Sequence, residues 1–255
     1  ADFNRTFEDT KVSFDPKPII LQLPIGSEAE FKGVVDLIRN QAYGYGTDGK
    51  AKKEEIPADL QDLVESEREA LIENIAEADD ALIEKYLEGE ELTEEELNAA
   101  LRNGTLSQTF VPVICGSATQ NIGIDLLMDF IVTSMPSPAD RGPKKGIDPD
   151  SGNEIERAPE ETAPFSAYVV KTLADPYAGR LTIFRVVSGK LGGDGTFYNP
   201  NKDSKERFTQ LLSITGKEQK AVTAAGPGAI AAVAKLKETA TGDTLCDSSD
   251  KIQYA

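Results

Sequence analysis

The sequence has 255 residues, of which 39% are hydrophobic and 28% charged, and its formal net charge is −17. This composition is typical of a soluble globular protein with room for two domains, and no apolar run reaches the roughly 18 residues that a membrane-spanning helix needs. The chain contains no histidine, which excludes Ser-His and Cys-His nucleophile pairs and the H-E-x-x-H zinc motif. From the globular composition and the lack of a membrane-spanning run, we expect a cytoplasmic protein with no membrane partner.

Cys115 and Cys246 are the only thiols, and each lies within or beside an apolar run. The pair lacks the C-x-x-C spacing of redox and metal-binding motifs. We therefore predict two buried free cysteines rather than a disulfide or a metal site.

The negative charge is concentrated between Glu54 and Glu96, where 18 Asp or Glu residues stand against only Arg68 and Lys85. Dense negative charge repels phosphate backbones. Any contact with nucleic acid must therefore come from another part of the chain.

In chain order, the first elements predict a helix end followed by a small sheet. Residues 1–14 carry apolar side chains at helical spacing, and Asp15-Pro16 closes that helix. The apolar run 18–24 has a proline at each end and predicts a short buried strand. The run 31–38, with two tyrosines beyond it, predicts a second strand of the same sheet.

Three helices are predicted in the acidic segment. Residues 59–78 place their apolar side chains on one face, and a shorter helix covers 80–87. The third begins at Thr93, which forms a capping-box pattern with Glu96, and it is expected to stop at Gly104.

A strand, a small-residue turn and a helix follow. The apolar run 110–114 predicts the strand, Cys115-Gly116-Ser117-Ala118 the turn, and residues 122–135 the helix. Open α/β sheets place ligand contacts at such turns. The chain contains no G-x-x-x-x-G-K-[ST] phosphate loop. The sequence therefore indicates part of a nucleotide-binding protein, without the segment that binds the phosphates.

The second half changes to short strands. Residues 141–160 are rich in glycine and proline and are interpreted as a linker. Strands are predicted at 165–172, 179–189, 195–199, 206–214, 228–236 and 244–246. Short strands in this number, with no helix between them, predict a small closed barrel.

Several of these segments resemble bacterial elongation factor G or a close elongation-factor-G-like paralogue. Residues 174–189 (ADPYAGRLTIFRVVSG), 198–200 (YNP) and 241–247 (TGDTLCD) resemble the second domain of that family. Residues 21–26 (LQLPIG) and 31–37 (FKGVVDL) resemble the entry into its inserted subdomain. The resemblance covers almost the whole chain.

The resemblance implies an α/β fold, in which a partial Ras-like GTPase layer carries an α+β insertion, plus an all-β translation-factor barrel. The implied domains are a residual GTPase-domain helix and strand at 1–24, the inserted acidic subdomain at 25–108, the last strand and helix of the GTPase domain at 109–140, a linker at 141–160 and the barrel at 161–255. The phosphate loop, both switches and the N-K-x-D motif would precede Ala1, and three further domains would follow Ala255.

The implied function is GTP-dependent translocation by a ribosome-associated GTPase. The full-length parent would bind GTP or GDP with Mg²⁺. The fragment alone is expected to be a monomer that binds no cofactor, contains no catalytic residues and does not hydrolyse GTP.

The resemblance assigns Ser117, Ala118 and Thr119 to a loop that reads the guanine base. In the family, the backbone N–H at the alanine position donates to the base carbonyl oxygen, and the serine braces the loop. Thr119-Gln120 departs from the commoner family residues, which leaves the packing under the base open. From the residues alone, the same segment is a strand-to-helix turn with Ser117 as a helix cap.

Two partner surfaces are implied. An acidic stripe formed by Glu65, Glu69 and Glu73 would dock the stalk protein of the large ribosomal subunit, although such stripes are commonly solvated faces. Arg180 and Arg185, with Lys190 and Lys205, would meet phosphates of small-subunit ribosomal RNA, or they are ordinary surface residues of a barrel. Asp175-Pro176 and Gly192-Gly193 are interpreted as turn formers.

Two alternatives to a translocase are left open by the sequence. The parent could be a related ribosome-protection or release-factor GTPase, which shares the barrel. The chain could also be a free-standing, non-catalytic module that binds the ribosome or another protein.

Overall fold

The computed structural model describes residues 2–175 and 179–255. Pro176 to Ala178, on which the predicted turn at Asp175-Pro176 depends, lie outside the described residues. The chain divides into two compact units, Ala1–Met135 and Pro136–Ala255. Within the described ranges, no helix combines the length and the apolar character needed to cross a membrane.

The first unit is an α+β layer. Its elements are α1 (Phe3–Ser13), β1 (Lys17–Ile20), β2 (Gln22–Ile25), β3 (Gly33–Asp36), β4 (Gln41–Tyr45), β5 (Ala51–Glu54), α2 (Gln61–Ala76), α3 (Asp80–Leu87), α4 (Glu94–Leu106), β6 (Phe110–Val113) and α5 (Ile124–Ser134). β1 pairs in parallel with β6, and β2-β3-β4-β5 form a separate antiparallel sheet. The helices predicted in the acidic segment are all present.

The single strand predicted at 18–24 is two strands in two different sheets. Leu21 is the junction: its N–H donates to the Val113 carbonyl oxygen at 2.9 Å, and its carbonyl oxygen accepts from the Leu37 N–H at 3.0 Å. Leu21 therefore bonds to the end of β6, which pairs with β1, and to the residue after β3, which pairs with β2. Apart from Gln22, which is itself buried, the run is apolar because both strands are buried.

The core of this unit lies between the strands and the helices that follow them. Its fully or nearly fully buried members include Ile19, Leu23, Val35, Leu37, Val64, Leu71, Ile75, Leu97, Leu101 and Phe110. Helix α4 passes the predicted stop at Gly104 and continues to Leu106. Gly104 is buried against the Phe110 ring, where a Cβ atom would lie 2.3 Å from Cζ, so this glycine serves close packing of the helix on β6 rather than helix termination.

Helix α5 exposes part of its apolar side. Met128, Ile131 and Val132 are 62%, 51% and 82% exposed, whereas Leu126 on the opposite side is buried. An apolar helix face of this kind is unusual for a solvated surface.

The second unit is built almost entirely from strands. They are β7 (Lys144–Ile147), β8 (Glu154–Arg157), β9 (Ser166–Asp175), β10 (Gly179–Ser188), β11 (Leu191–Gly192), β12 (Gly195–Asn199), β13 (Ser204–Phe208), β14 (Leu211–Thr215), β15 (Glu218–Val222), β16 (Ala224–Ala225), β17 (Ile230–Ala234) and β18 (Thr244–Cys246). The main sheet has the order β13-β12-β18-β9-β10-β17-β14-β15.

This sheet is a curled antiparallel half-barrel rather than the predicted closed one. The run predicted as one strand at 206–214 is β13 and β14, which are adjacent in sequence but far apart in the strand order. Phe208 and Leu211 flank this step and are both buried in the core of the barrel. The fold class is therefore α/β plus an all-β barrel, with more strands than the sequence pattern indicated.

The segment interpreted as a linker, 141–160, contains an antiparallel hairpin formed by β7 and β8. Ile147 in this hairpin exchanges two backbone hydrogen bonds of 2.8 Å with Gln253 near the end of the chain. The division between the units falls instead at Met135 and Pro136. Glycine and proline mark turns of an ordered hairpin in this segment.

Candidate functional site

The predicted small-residue turn lies between β6 and α5. The Ser117 N–H donates to the Ile122 carbonyl oxygen at 2.9 Å, and the Ile122 N–H donates back to the Ser117 carbonyl oxygen at 3.0 Å. These two bonds close residues 117–122 into a loop with a fixed base. The loop follows a strand of a parallel pair, the position at which α/β proteins bind ligands.

Two glycines let the chain pass close to itself at the base of this loop. A Cβ atom at Gly116 would lie 2.8 Å from the Ile122 carbonyl oxygen, and one at Gly123 would lie 2.9 Å from the Cys115 carbonyl oxygen. Gly123 has a φ of +73° and is the N-cap of α5. Ser117 is therefore not the cap of this helix, contrary to the interpretation drawn from the residues alone.

The tip of the 117–122 loop offers backbone donors. Ala118 and Thr119 are exposed, and Ser117 is half-buried with its Oγ 3.4 Å from Thr119 Oγ1. The N–H groups of Ala118 and Thr119 have no hydrogen-bond partner among the described residues. A small side chain at 118 leaves these donors open to an acceptor such as a carbonyl oxygen.

An open groove adjoins the loop at Gly116. Its other walls include Asp2 and Phe3 at the start of α1, and Pro24 and Ser27 around the end of β2. In the part of the chain that is described, no cluster of carboxylate and thiol side chains is arranged to hold a metal ion. Polar side chains of Asn4, Thr6 and Ser27 also line this groove.

Cys115 stands directly before the loop and is inert in this setting. Burial raises the pKa of its thiol to about 12, so almost none is thiolate at neutral pH. Its Sγ lies 3.8 Å from the Gln22 carbonyl oxygen, a weak contact. Both cysteines are free, as predicted, with Cys246 buried and Cys115 partly buried.

The sequence did not single out the residues that hold the loop from outside. The Tyr45 hydroxyl donates to Asp125 Oδ1 at 2.6 Å, and Asn121 Nδ2 donates to the Gly49 carbonyl oxygen at 3.3 Å. Burial, followed by the bond to Asp125, raises the pKa of Tyr45, so its phenol remains a neutral donor. Each contact joins residues more than 70 positions apart, which no local pattern reveals.

The predicted partner residues lie elsewhere. Glu65, Glu69 and Glu73 are all exposed on α2, four positions apart and therefore on one face. Arg185 and Lys205 are exposed on the barrel. Lys190 forms an exposed ion pair of 3.0 Å with Glu161.

Arg180 has a structural role in the barrel, where it bonds to the loop between β17 and β18. Its guanidinium donates to the carbonyl oxygens of Lys237, at 3.1 Å, and Thr239, at 2.5 Å. The Glu206 carboxylate supports the same loop from the other side by accepting from the N–H groups of Lys237, Glu238 and Thr239. Arg180 and Glu206 thus fix the loop between β17 and β18.

The α/β unit with its loop after β6, and the curled barrel that follows in the same chain, have counterparts among known proteins. Residues 164–248 match the family model described as elongation factor G domain 2. The structure is also similar to a crystal structure of a protein from Thermus thermophilus, with a TM-score of 0.79 and 26% sequence identity over 98% of this chain. The two findings confirm the resemblance: residues 164–248 are similar to the second domain of elongation factor G, and the chain as a whole is similar in fold to the Thermus protein. It spans about a third of the length of the Thermus chain, of which 35% is covered.

Proposed function

We propose that the chain is part of a ribosome-associated GTPase that promotes GTP-dependent translocation during translation elongation. The observation that carries this proposal is the N–H of the exposed residue Ala118, which lies in a closed loop after a strand of a parallel pair and has no partner among the described residues. The elongation factor G match at 164–248 supports the choice of elongation among the functions of such GTPases. The proposal places the protein in the cytoplasm, with the ribosomes.

The loop fits a guanine base. Guanine presents an oxygen acceptor at position 6, whereas adenine presents an amino donor there, which would oppose a backbone N–H. The paired N–H and C=O groups of Ser117 and Ile122 hold the Ala118 N–H in place. GTP with Mg²⁺ would supply the phosphoryl chemistry, and the phosphate-binding residues would belong to a longer parent because this sequence contains no G-x-x-x-x-G-K-[ST].

The experiment that tests base reading is a substitution at position 118 in the full-length parent. Ala118→Val is expected to accelerate GDP dissociation about tenfold, since a branched side chain keeps the base away from the N–H and one hydrogen bond is lost. Ala99→Val, at an exposed alanine of α4, is the matched control. GDP dissociation that is equal in the two variants would overturn the assignment of this loop.

The chain without the rest of the parent gives a second test. We expect no binding of GTP detectable by calorimetry, because the contacts to phosphates contribute most of the affinity of such sites. Saturable binding at micromolar concentration would contradict the assignment of the phosphate-binding residues to a longer parent.

The acidic stripe of α2 is proposed as a docking surface for the stalk protein of the large ribosomal subunit. Exposed like charges on one face suit a basic partner chiefly by accelerating encounter. Reversal of Glu65, Glu69 and Glu73 to lysine is expected to reduce stalk-dependent GTP turnover severalfold at low salt. Unchanged turnover would remove the docking proposal and leave the stripe a solvated face.

For the barrel, Arg185 is the better candidate for contact with small-subunit ribosomal RNA, since the Arg180 guanidinium is already bonded to two carbonyl oxygens. Arg185→Ala should weaken ribosome binding at moderate salt and lower its salt dependence, as expected for a lost phosphate contact. Loss of binding with Arg180→Ala alone would point to disruption of the loop that Arg180 holds.

A further inference from the structure

The hairpin of β4 and β5 contacts the 117–122 loop at Asn121 and helix α5 at Asp125. Tyr45, the last residue of β4, donates from its hydroxyl to Asp125 Oδ1 at 2.6 Å in the first turn of α5. At the hairpin turn, the Gly49 carbonyl oxygen accepts from Asn121 Nδ2 at 3.3 Å. The two bonds lie on either side of Gly123, where the loop joins the helix.

The turn and the loop are sterically matched. Gly49 has a φ of +66°, and a Cβ atom there would lie 2.3 Å from Asn121 Nδ2. Asn121 itself has a φ of +55°, a conformation that asparagine tolerates better than most residues. Glycine at 49 and asparagine at 121 therefore allow a close approach that larger or branched residues would prevent.

A small apolar cluster lies beneath these polar contacts. Val34 of β3, Tyr43 of β4 and Leu126 of α5 are buried together, with Cys115 and Tyr45 packed against them. This cluster is separate from the main core of the unit. It connects the antiparallel sheet directly to both ends of the loop.

We propose that the β4–β5 hairpin is a brace that fixes the 117–122 loop for reading a 6-oxo purine, with Tyr45 and Asn121 as positioning residues. The inference rests on the proposed function, because it assigns the brace to the base-reading loop. The Ser117–Ile122 pair closes the base of the loop, and the hairpin restrains the loop at Asn121 and the start of α5 at Asp125. A loop held at both places keeps the Ala118 N–H aimed without any cost of ordering when the base binds.

The polar contacts of the brace are specific to positioning rather than to overall stability. Both hydrogen bonds are exposed, and exposed bonds contribute little to the free energy of unfolding. Removing these two hydrogen bonds should therefore alter the conformation of the loop while changing the free energy of unfolding of the protein only slightly. This difference separates a positioning role from a general structural one.

The test in the full-length parent compares two ligands that share the 2-amino group and differ at position 6 of the base and in the proton on N1. GDP carries an oxygen there, and the diphosphate of 2,6-diaminopurine riboside carries an amino group. Tyr45→Phe is expected to weaken GDP binding about three- to tenfold, the value of one hydrogen bond, and to leave binding of the diaminopurine analogue within about twofold. Tyr86→Phe on α3 is the matched control, with no effect on either ligand. Equal weakening of both ligands by Tyr45→Phe, or of neither, would overturn the proposal.

A second measurement uses the 255-residue chain and needs no nucleotide. Hydrogen exchange of the Ile122 amide, which donates to Ser117, should accelerate about threefold or more in Tyr45→Phe and in Asn121→Ala, while exchange in α2 is unchanged. If the parent binds GDP but neither exchange nor selectivity changes, the brace is wrong and the proposed function stands. If the parent binds no guanine nucleotide, the proposed function fails and the base-reading purpose of the brace fails with it, even where exchange accelerates.

Discussion

Glu206 shows how a single buried carboxylate can organise a loop. It is 7% exposed and accepts from the Thr239 N–H at 2.8 Å, the Thr239 hydroxyl at 2.6 Å and the Glu238 N–H at 3.2 Å. Burial alone would raise the pKa of this carboxyl, but the hydrogen bonds from Thr239 and the neighbouring amides outweigh burial and lower the pKa. The charged form is therefore the one that the folded loop requires.

Glu206→Gln is expected to reduce the free energy of unfolding by about 2 kcal/mol at pH 7, because bonds to a charged acceptor contribute about 1.5–3 kcal/mol. The folded pKa lies below the ordinary value of 4.5, so this contribution is present above about pH 4.5 and is lost as the pH falls through the lowered folded pKa. Urea unfolding at pH 7 and pH 3.5 measures the difference, with Glu238→Gln at an exposed neighbour as control. An equal difference at both pH values would contradict the assignment.

At the residue scale, the sequence predicted the features that depend on neighbouring residues and missed the contacts between residues far apart in the chain. Small residues directly after a strand marked Ser117 and Ala118, and the structure leaves Ala118 exposed at the loop tip. Tyr45 and Asn121 carry no local signal, since a tyrosine at a strand end and an asparagine in a turn are ordinary. Their contacts with Asp125 and Gly49 arise only when the sheet packs on α5.

At the scale of elements, helix α4 begins with the capping box that the sequence predicted. Thr93 Oγ1 accepts from the Glu96 N–H at 3.3 Å, and a Glu96 carboxylate oxygen accepts from the Thr93 N–H at 2.8 Å. Lys85 also bonds to Glu96 at 2.8 Å. The hydrogen bond from Lys85 and those with Thr93 lower the pKa of Glu96 to about 2.

Thr93→Ala should lower the free energy of unfolding by about 1 kcal/mol, the usual contribution of an N-cap side chain. Thr93→Ser keeps the hydroxyl and should be nearly neutral. Chemical denaturation of the two variants beside the parent sequence checks this prediction. A loss with serine as large as that with alanine would show that the methyl group, not the cap, matters at this position.

Helices with regularly spaced apolar residues could be predicted from the sequence. Strands whose limits depend on pairing with distant residues could not. The helices of the acidic segment followed from apolar residues at helical spacing. The split of 18–24 into β1 and β2 did not, because the change of sheet at Leu21 depends on Val113 and Leu37, far along the chain. The turn residues of 141–160 were visible, but the pairing of Ile147 with Gln253 was not.

At the scale of the whole molecule, the two units have separate apolar cores. The clusters of the first unit end with Phe130, and those of the second begin with Ile155. A unit with its own core is expected to fold alone.

We therefore expect residues 136–255, produced alone, to retain a β-rich circular dichroism spectrum and a cooperative thermal transition. Leu245 is fully buried in this unit, so Leu245→Ala should lower its stability by about 2–5 kcal/mol and reduce the transition temperature. Lys217→Ala, at an exposed turn, is the control. A broad, non-cooperative transition of the isolated unit would show that it depends on the first one.

The pairing of β1 with β6 also has a consequence for the order of folding. Lys17 and Phe110 are direct neighbours in this pair, although they are roughly ninety residues apart in sequence, and closing so long a segment is slow and entropically costly. The intervening hairpins and helices can collapse through much nearer contacts. The nucleation of this half is thus expected among those intervening elements, and the turn behind β6 should reach its final shape only in the last step.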